Sequence, residues 1–173
     1  MKFNPDIHHR RSIRLKKYDY SANGTYFVTI CTQDSAMLFG QVVGADSISA
    51  QVVLNNAGKM VETLYQETIH QFSGVTSVKH IVMPNHFHGV VVIGRADMES
   101  APTLPAIIQA FKRNTTIKYI NGVKSGIFPP FNKRVWQRNY FERIIRDEDE
   151  YKRVCQYIDD NPANWENDKY YHE

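Results

Sequence analysis

The segment IVMPNHFHGVVVI, residues 81–93, constrains the fold more than any other part of the chain. It places His86 and His88 at positions i and i+2 within a run of residues that is typical of a buried strand. Side chains alternate across a strand, so both imidazoles point to the same face, about 7 Å apart along the backbone. Such a pair can hold one divalent cation. The alternative is a pair of structural histidines whose hydrogen bonds are satisfied in place. Burial in mid-sheet favours the cation site, because ionisable groups there need compensation.

The distribution of charge indicates a basic surface, although the net charge of the 173 residues is only +3. Residues 1–20 carry six lysines and arginines against two aspartates, and residues 111–146 carry nine against one glutamate. The segment 147–173 is acidic, with nine acidic side chains against three basic ones. This segregation is typical of proteins that bind a polyanion, with nucleic acid as the first candidate. The alternative is a set of solvated surface charges.

Length and composition predict one domain with a substantial core. The longest apolar run, Val90–Ile93, is too short to cross a bilayer, and the N-terminal sequence lacks the apolar region of a secretory signal. Cys31 and Cys155 are too far apart in sequence to form a metal motif and are expected to be free thiols in a reducing compartment. We therefore expect no membrane partner and a cytoplasmic, nucleoid-associated protein.

The pattern of apolar residues predicts an α+β fold. Strands are predicted at 24–32, in a hairpin of 37–43 and 48–54, at 75–83 and 85–93, and within 135–145. Helices are predicted from Asn55 or Asn56 to about 72, from the cap Thr103 to about 120, and from Asp147 to about 161. Two helices interleaved with mostly antiparallel strands indicate a ferredoxin-like sheet with helices packed on it. The domain is expected to span 23–165, with a basic N-terminal arm at 1–22 and a C-terminal tail at 166–173.

The last predicted helix carries a second candidate group, Tyr157. An apolar stripe on this helix is expected to pack on the sheet and comprises Tyr151, Val154, Cys155 and Ile158. Tyr157 lies about 110° from the centre of the stripe at about 100° per residue, at the border of the buried face. Asn161, one turn later on the same face, offers an amide oxygen to a metal. A metal-bound phosphate would be open to attack by the tyrosine hydroxyl. The alternative is a tyrosine that only packs at the edge of the core.

Four motifs together give a specific resemblance. They are YFVTICT at 26–32, VMPNHFHG at 82–89, VWQRNYFERIIRDEDE at 135–150 and YIDDNP at 157–162. In this order they resemble the REP-associated tyrosine transposases, which belong with the single-tyrosine transposases of small insertion sequences in the HUH (His-hydrophobe-His) endonuclease superfamily. The resemblance runs from about Arg11 to Trp165.

The resemblance implies a ferredoxin-like sheet with the two histidines on a central strand and a catalytic tyrosine on a C-terminal helix. His86 and His88 match the metal ligands, and Tyr157 matches the nucleophile. Asn161 lies where insertion-sequence relatives place a glutamine as third ligand, and its side chain is one methylene shorter. The implied cofactor is Mg²⁺ or Mn²⁺. The implied reaction cleaves and rejoins single-stranded or hairpin DNA through a 5′-phosphotyrosine intermediate.

Basic side chains are expected to bind this DNA, with Trp136 either stacking on a base or anchoring the core. The predicted nucleic-acid-binding residues are Arg10, Arg11, Arg14, Lys112, Arg113, Lys118, Lys133, Arg134, Trp136, Arg138 and Arg153. A catalytically silent binder of structured nucleic acid on the same fold is the alternative function. A phosphoesterase that uses water is a third, although such enzymes need a second histidine motif. A homodimer is left open.

Overall fold

The structure is a computed structural model and describes residues 23–44, 50–94 and 102–171. Within these ranges six strands and three α-helices follow one another along the chain. They are β1 (Gly24–Cys31), β2 (Gly40–Val43), β3 (Gln51–Leu54), α1 (Asn56–His70), β4 (Val75–Val82), β5 (His86–Ile93), α2 (Leu104–Lys124), β6 (Phe141–Ile145) and α3 (Glu148–Asp160). The predicted arm at 1–22 lies outside the described residues.

Four of the strands form one antiparallel sheet in the order β4-β5-β1-β6. Helix α1 connects β1 to β4 by way of the separate β2-β3 hairpin, and α2 connects β5 to β6. This connectivity and strand order are those of a ferredoxin-like fold, so the predicted fold class is confirmed. The strand β5 lies between β4 and β1 and is therefore central, as the histidine motif required.

Each α-helix begins at the side chain that the sequence indicated. The side chains of Asn55, Thr103 and Asp147 accept hydrogen bonds from the backbone N–H groups of Gly58, Ala106 and Glu150, respectively. These bonds satisfy N–H groups that the first turn of a helix leaves without partners. At the start of α3 the Glu150 carboxylate also accepts a hydrogen bond from the N–H of Arg146, the residue before the cap.

The two faces of the sheet pack against different helices. One face packs on α1 and α2 around a large apolar core that includes Tyr26, Tyr65, Phe87 and Phe111. The other face carries α3, which buries Val154 and Ile158 against Phe27, Val90 and Ile145. Because the apolar stripe of α3 must be buried here, the helix lies on the sheet face that also carries the two histidines.

Candidate active site

The pairing of β1 with β5 sets the position of the two histidines. His88 lies opposite Thr29 and His86 lies opposite Cys31, on the face covered by α3. Both histidines have no exposed surface, and their ring centroids are 4.5 Å apart. The strand register therefore brings two imidazoles together inside the protein, as predicted.

The tautomer of His86 is determined by its neighbour, Asn85. The Asn85 amide Nδ2 donates to the carbonyl oxygen of Tyr170 at 2.6 Å and to that of Ser35 at 3.3 Å, which fixes the orientation of the amide. Its Oδ1 must then accept from Nδ1 of His86, 2.8 Å away. The proton of His86 is therefore on Nδ1, and Nε2 carries a lone pair. Within the described residues this buried Nε2 has no hydrogen-bond partner.

His88 is held in a similar way. Its Nδ1 lies 2.8 Å from Oγ1 of Thr29, and its ring stacks on Phe27 with 5.3 Å between centroids. Burial, followed by the neighbouring His86, holds the pKa of His88 well below its ordinary value. Burial also lowers the pKa of His86 to about 4, although Asp168 opposes this shift in part. Both imidazoles are thus neutral at physiological pH, which is the form that binds metals.

A carboxylate completes the cluster. Asp168 brings an oxygen to the two histidines, such that one potential ligand atom from each of the three residues lies within 4.8 Å of the others. The carboxylate is oriented by the backbone N–H of Tyr170, which donates to Oδ1 at 2.8 Å, and by Nδ2 of Asn161, which donates to Oδ2 at 3.0 Å. The group of His86, His88 and Asp168 could hold a metal ion.

Asp168 was missed by the sequence reasoning, which placed residues 166–173 in a tail beyond the domain. In the structure this part of the chain packs on the site. Trp165 is buried and stacks on His86 with 5.9 Å between ring centroids, and the ring of Tyr170 lies 4.8 Å from that of His86. The aromatic residues of the acidic WENDKYY sequence were the available signal, since a solvated tail does not require them.

Asn161 lies where the sequence predicted, at the end of α3 and next to the histidines. Only 2% of it is exposed, and its Nδ2 orients Asp168. Its Oδ1 is buried and has no hydrogen-bond partner among the described residues. The residue thus orients one potential ligand and keeps an oxygen of its own available, and its role as a metal ligand stays a prediction.

Tyr157 projects from the border of α3 toward this cluster and is 40% exposed. Its hydroxyl lies 3.5 Å from Nε2 of His88 and 3.5 Å from Oδ2 of Asp168. The ring packs edge-on against Phe27, with 5.9 Å between centroids. Burial, followed by the charge of Asp168, raises the pKa of Tyr157 to about 12. The hydroxyl is therefore protonated at neutral pH, and a nearby positive charge would be needed to activate it.

Comparison with known proteins identifies a relative of this chain. No family model matches it. A protein of unassigned function from Haemophilus influenzae is 36% identical over 180 residues, which cover 98% of this chain and 97% of that protein. This chain belongs to the same family as that protein.

Two solved structures share the fold of this family member. One is a REP-associated tyrosine transposase bound to a REP hairpin, with a TM-score of 0.58, 16% identity, and coverage of 90% of this chain and 74% of that one. The other is a protein from Deinococcus radiodurans R1 that carries the provisional name of transposase, with a TM-score of 0.50, 15% identity, and coverage of 88% and 99%, respectively. The fold is thus that of REP-associated tyrosine transposases, which confirms the resemblance inferred from the motifs.

The predicted nucleic-acid-binding residues are distributed over several surfaces. Arg10, Arg11 and Arg14 lie outside the described residues. Arg113 and Lys118 are exposed on α2, and Arg153 is exposed on α3. A second group lines a cavity of about 350 Å³ and comprises Lys112, Lys133, Arg134 and Arg138.

Lys112 and Trp136, which both line this cavity, have structural roles. The Lys112 ammonium donates to the backbone carbonyls of Gln137 and Arg138, and burial lowers its pKa to about 8. Trp136 is only 3% exposed, and its Nε1 donates to Oγ1 of Thr115 at 2.8 Å. This burial leaves no ring face for a base, so Trp136 is a core anchor, which was the alternative interpretation of the sequence.

None of the helices in the described ranges is both long enough and apolar enough to cross a bilayer.

Proposed function

We propose that this protein is a metal-dependent transposase that cleaves and rejoins single-stranded DNA at hairpin-associated sites, with Tyr157 as the nucleophile. The observation that carries the proposal is the position of the Tyr157 hydroxyl, 3.5 Å from His88 Nε2 and 3.5 Å from Asp168 Oδ2. The similarity of the fold to that of tyrosine transposases supports a transposase-like function. The neighbour bound to a REP hairpin supports DNA as the partner.

The residues of the cluster fit a divalent cation. His86 offers an unpartnered, buried lone pair on Nε2, and Asn161 offers an unpartnered, buried Oδ1. We propose that His86, His88 and Asp168 hold the ion, with Asn161 adding its amide oxygen. Two imidazoles and a carboxylate favour Mn²⁺ over Mg²⁺ in affinity, because nitrogen ligands suit the softer ion. When bound, the cation supplies positive charge that stabilises the negative charge developing on the phosphate.

The side chains of Tyr157 and Asp168 carry out the remaining steps of the proposed reaction. Oη of Tyr157 attacks the phosphorus, and the bond from phosphorus to the 3′-oxygen breaks, which leaves a 5′-phosphotyrosine and a 3′-hydroxyl. The phenol proton passes to Oδ2 of Asp168, the carboxylate within hydrogen-bond reach, and from there to the departing 3′-oxygen. A 3′-hydroxyl can reverse the reaction, because the phosphotyrosine ester conserves the energy of the original bond.

The test is a covalent adduct between the protein and a single-stranded oligonucleotide that carries a hairpin, incubated with Mn²⁺ and analysed under denaturing conditions. We expect an adduct with the native protein and its loss, by at least about 10³-fold, in Tyr157→Phe. Tyr151→Phe, on the same helix, is the matched control and should form the adduct normally. The melting temperature of Tyr157→Phe should equal that of the native protein, because the hydroxyl makes only long hydrogen bonds.

Two results would contradict the proposal. Cleavage without an adduct in Tyr157→Phe would indicate a phosphoesterase that uses water. Tight hairpin binding without any adduct in the native protein would indicate the catalytically silent binder. That second candidate has one observation in its favour, since both histidines are fully covered by protein. Light scattering of the same samples would show whether the protein forms the homodimer that the sequence leaves open.

A further inference from the structure

A cavity of about 670 Å³ adjoins the catalytic cluster on the α3 side of the sheet. Its volume lies within the range of about 300–1,000 Å³ that is typical of small-ligand sites. The lining residues used below are Phe27, Phe141, Arg153, Tyr157, Asp168 and Lys169. Of these, Asp168 belongs to the cluster, and Tyr157 projects toward it. Whatever occupies the cavity therefore lies directly beside the atoms that are proposed to react.

One wall of the cavity is an aromatic ring that the fold leaves half exposed. Phe141, on the edge strand β6, lies directly opposite Thr29 of β1 and so on the same face as the histidines. It is 46% exposed, and its ring meets that of Phe27 edge to face, with 6.5 Å between ring centroids. A large aromatic residue that is half exposed inside a concave site is suited to stack on a flat ligand.

The rim of the cavity is cationic. Nζ of Lys169 lies 5.5 Å from the centroid of the Phe141 ring and 4.8 Å from that of the Tyr170 ring. Arg153 is exposed on α3, and neither Arg153 nor Lys169 forms an ion pair within the described parts of the chain. By contrast, the guanidinium of Arg143 is engaged with Glu150 at 2.6 Å. Two cations without an ion pair in the described parts of the chain, beside a half-exposed aromatic ring, favour a ligand that is both flat and anionic.

A nucleotide of a single strand combines these two properties. A paired base is stacked on both sides within a duplex and cannot present its face to Phe141, whereas an unpaired base can turn out of the strand. We propose that this cavity holds one unpaired nucleobase next to the phosphate that Tyr157 attacks. The base stacks on Phe141, and Arg153 and Lys169 bind the flanking phosphates. The proposal rests on the proposed function for the role of Tyr157, and it adds a base-binding subsite on the protein.

The experiment measures binding without chemistry. Hairpin oligonucleotides with a single-stranded flank, intact or with one abasic position at a time, are titrated by fluorescence anisotropy in EDTA. We expect one abasic position to weaken binding to the native protein by about 10-fold, as the loss of one stacked base does. Phe141→Ala should weaken binding of the intact oligonucleotide by a similar factor. In this variant, removing the base at that position should cause no further loss of affinity. Phe141→Trp should retain tight binding, and Ile127→Ala, which removes an exposed side chain elsewhere, should resemble the native protein.

The outcomes separate the subsite from the proposed function, because the Mn²⁺-dependent adduct is measured with the same oligonucleotides. If the effect of Phe141→Ala on the binding affinity is the same for the intact oligonucleotide and for every abasic one, the subsite does not exist, whether or not an adduct forms. If one position is coupled to Phe141 but the native protein forms no adduct, the subsite is supported and the proposed function fails. If an adduct forms, the base whose effect on binding depends on Phe141 must also lie next to the cleaved phosphate. If that base lies elsewhere in the strand, the proposal is overturned. Phe141→Trp is the conservative control, because it keeps an aromatic ring at this position. Loss of binding in this variant as well would contradict a stacking role.

Discussion

The two faces of the sheet differ in what they bury. The face under α1 and α2 buries an almost continuous set of aliphatic and aromatic side chains. Among the described residues, the apolar cluster under α3 has five buried members, and beside it lie His86, His88, Thr29 and Asn161. Burying apolar surface stabilises a fold, whereas burying polar groups costs free energy unless each has a partner. The comparison indicates that one face supplies the stability that offsets the cost of burying polar groups on the other.

The central strand β5 joins the two faces. Between the two histidines, Phe87 points to the opposite side and is fully buried. Its ring centroid lies 4.6 Å from that of Tyr65 and 5.2 Å from that of Phe111. Packing of this one ring fixes the strand, and the strand in turn fixes the separation of the two imidazoles. The hydrophobic residue of the His-hydrophobe-His motif thus has a direct physical role.

The largest expected effect is on the apolar face. Phe111→Ala removes a side chain that is 1% exposed and should lower the free energy of unfolding by about 3–5 kcal/mol, through lost burial and a new cavity. Urea denaturation followed by circular dichroism would measure this. Ile117→Ala, on the same helix but 54% exposed, is the control and should change the free energy by less than about 0.5 kcal/mol. Adduct formation per folded molecule should be unchanged, and its loss would show that the faces are not separate in function.

A smaller effect is expected from acid on the polar face. In the unfolded chain His86 binds a proton below about pH 6.5, whereas in the folded, metal-free protein burial delays this until about pH 4. The unfolded state therefore binds more protons in this window, and stability is lost as the pH falls from about 6.5 to about 4. The loss should approach about 3 kcal/mol and should be measurable by urea denaturation across this range.

The variant His86→Gln should reduce this pH dependence, because it removes one of the two buried histidines whose pKa is lowered by folding. His70→Gln, at the exposed end of α1, should leave it intact. Asp168 and Lys169 face His86 from the segment after α3 and act on its pKa in opposite directions, so neither alone accounts for the shift. An unchanged pH profile in His86→Gln would contradict this contribution of His86 and would mean that other groups, such as His88 or carboxylates elsewhere, determine acid stability.

The smallest of the three effects concerns Asn85. Replacing it with Leu removes the acceptor that keeps the proton of His86 on Nδ1, and it should weaken Mn²⁺ binding by about 10–100-fold. Asn85→Asp retains that acceptor and should lose less affinity. Isothermal titration calorimetry would compare the two with Asn132→Leu, which lies away from the site and should bind as the native protein does. Equal affinities in all three variants would exclude a positioning role for Asn85.

Local patterns predicted most of the fold. Alternation along 81–93 identified the central strand and the shared face of the histidines, and the stripe on α3 placed Tyr157 at its border. Both follow from the fixed periods of strand and helix, which a sequence displays directly. The caps Asn55, Thr103 and Asp147 were predictable for the same reason, because each satisfies backbone groups only a few residues away.

The rest of the site depends on contacts between distant parts of the chain. Asp168 reaches the histidines only because aromatic residues around it pack on His86, and no local period indicates that packing. The roles of Trp136 could not be separated from sequence, since the same indole suits a core or a base. The open ring of Phe141 depends equally on what α3 and the following segment leave uncovered, which only the assembled structure displays.

The placement of Asp168 outside the sheet has a thermodynamic consequence. The segment 165–171 consists of a short 3₁₀ turn and irregular backbone, so its opening costs less than global unfolding. An ion that uses this carboxylate binds only while the segment is docked, and the two equilibria are linked reciprocally. Manganese should therefore slow amide hydrogen exchange at Tyr170 and its neighbours while leaving α1 unaffected. Conversely, any substitution that destabilises the docked segment should weaken binding of the ion, even where the substituted residue contacts none of the ligands.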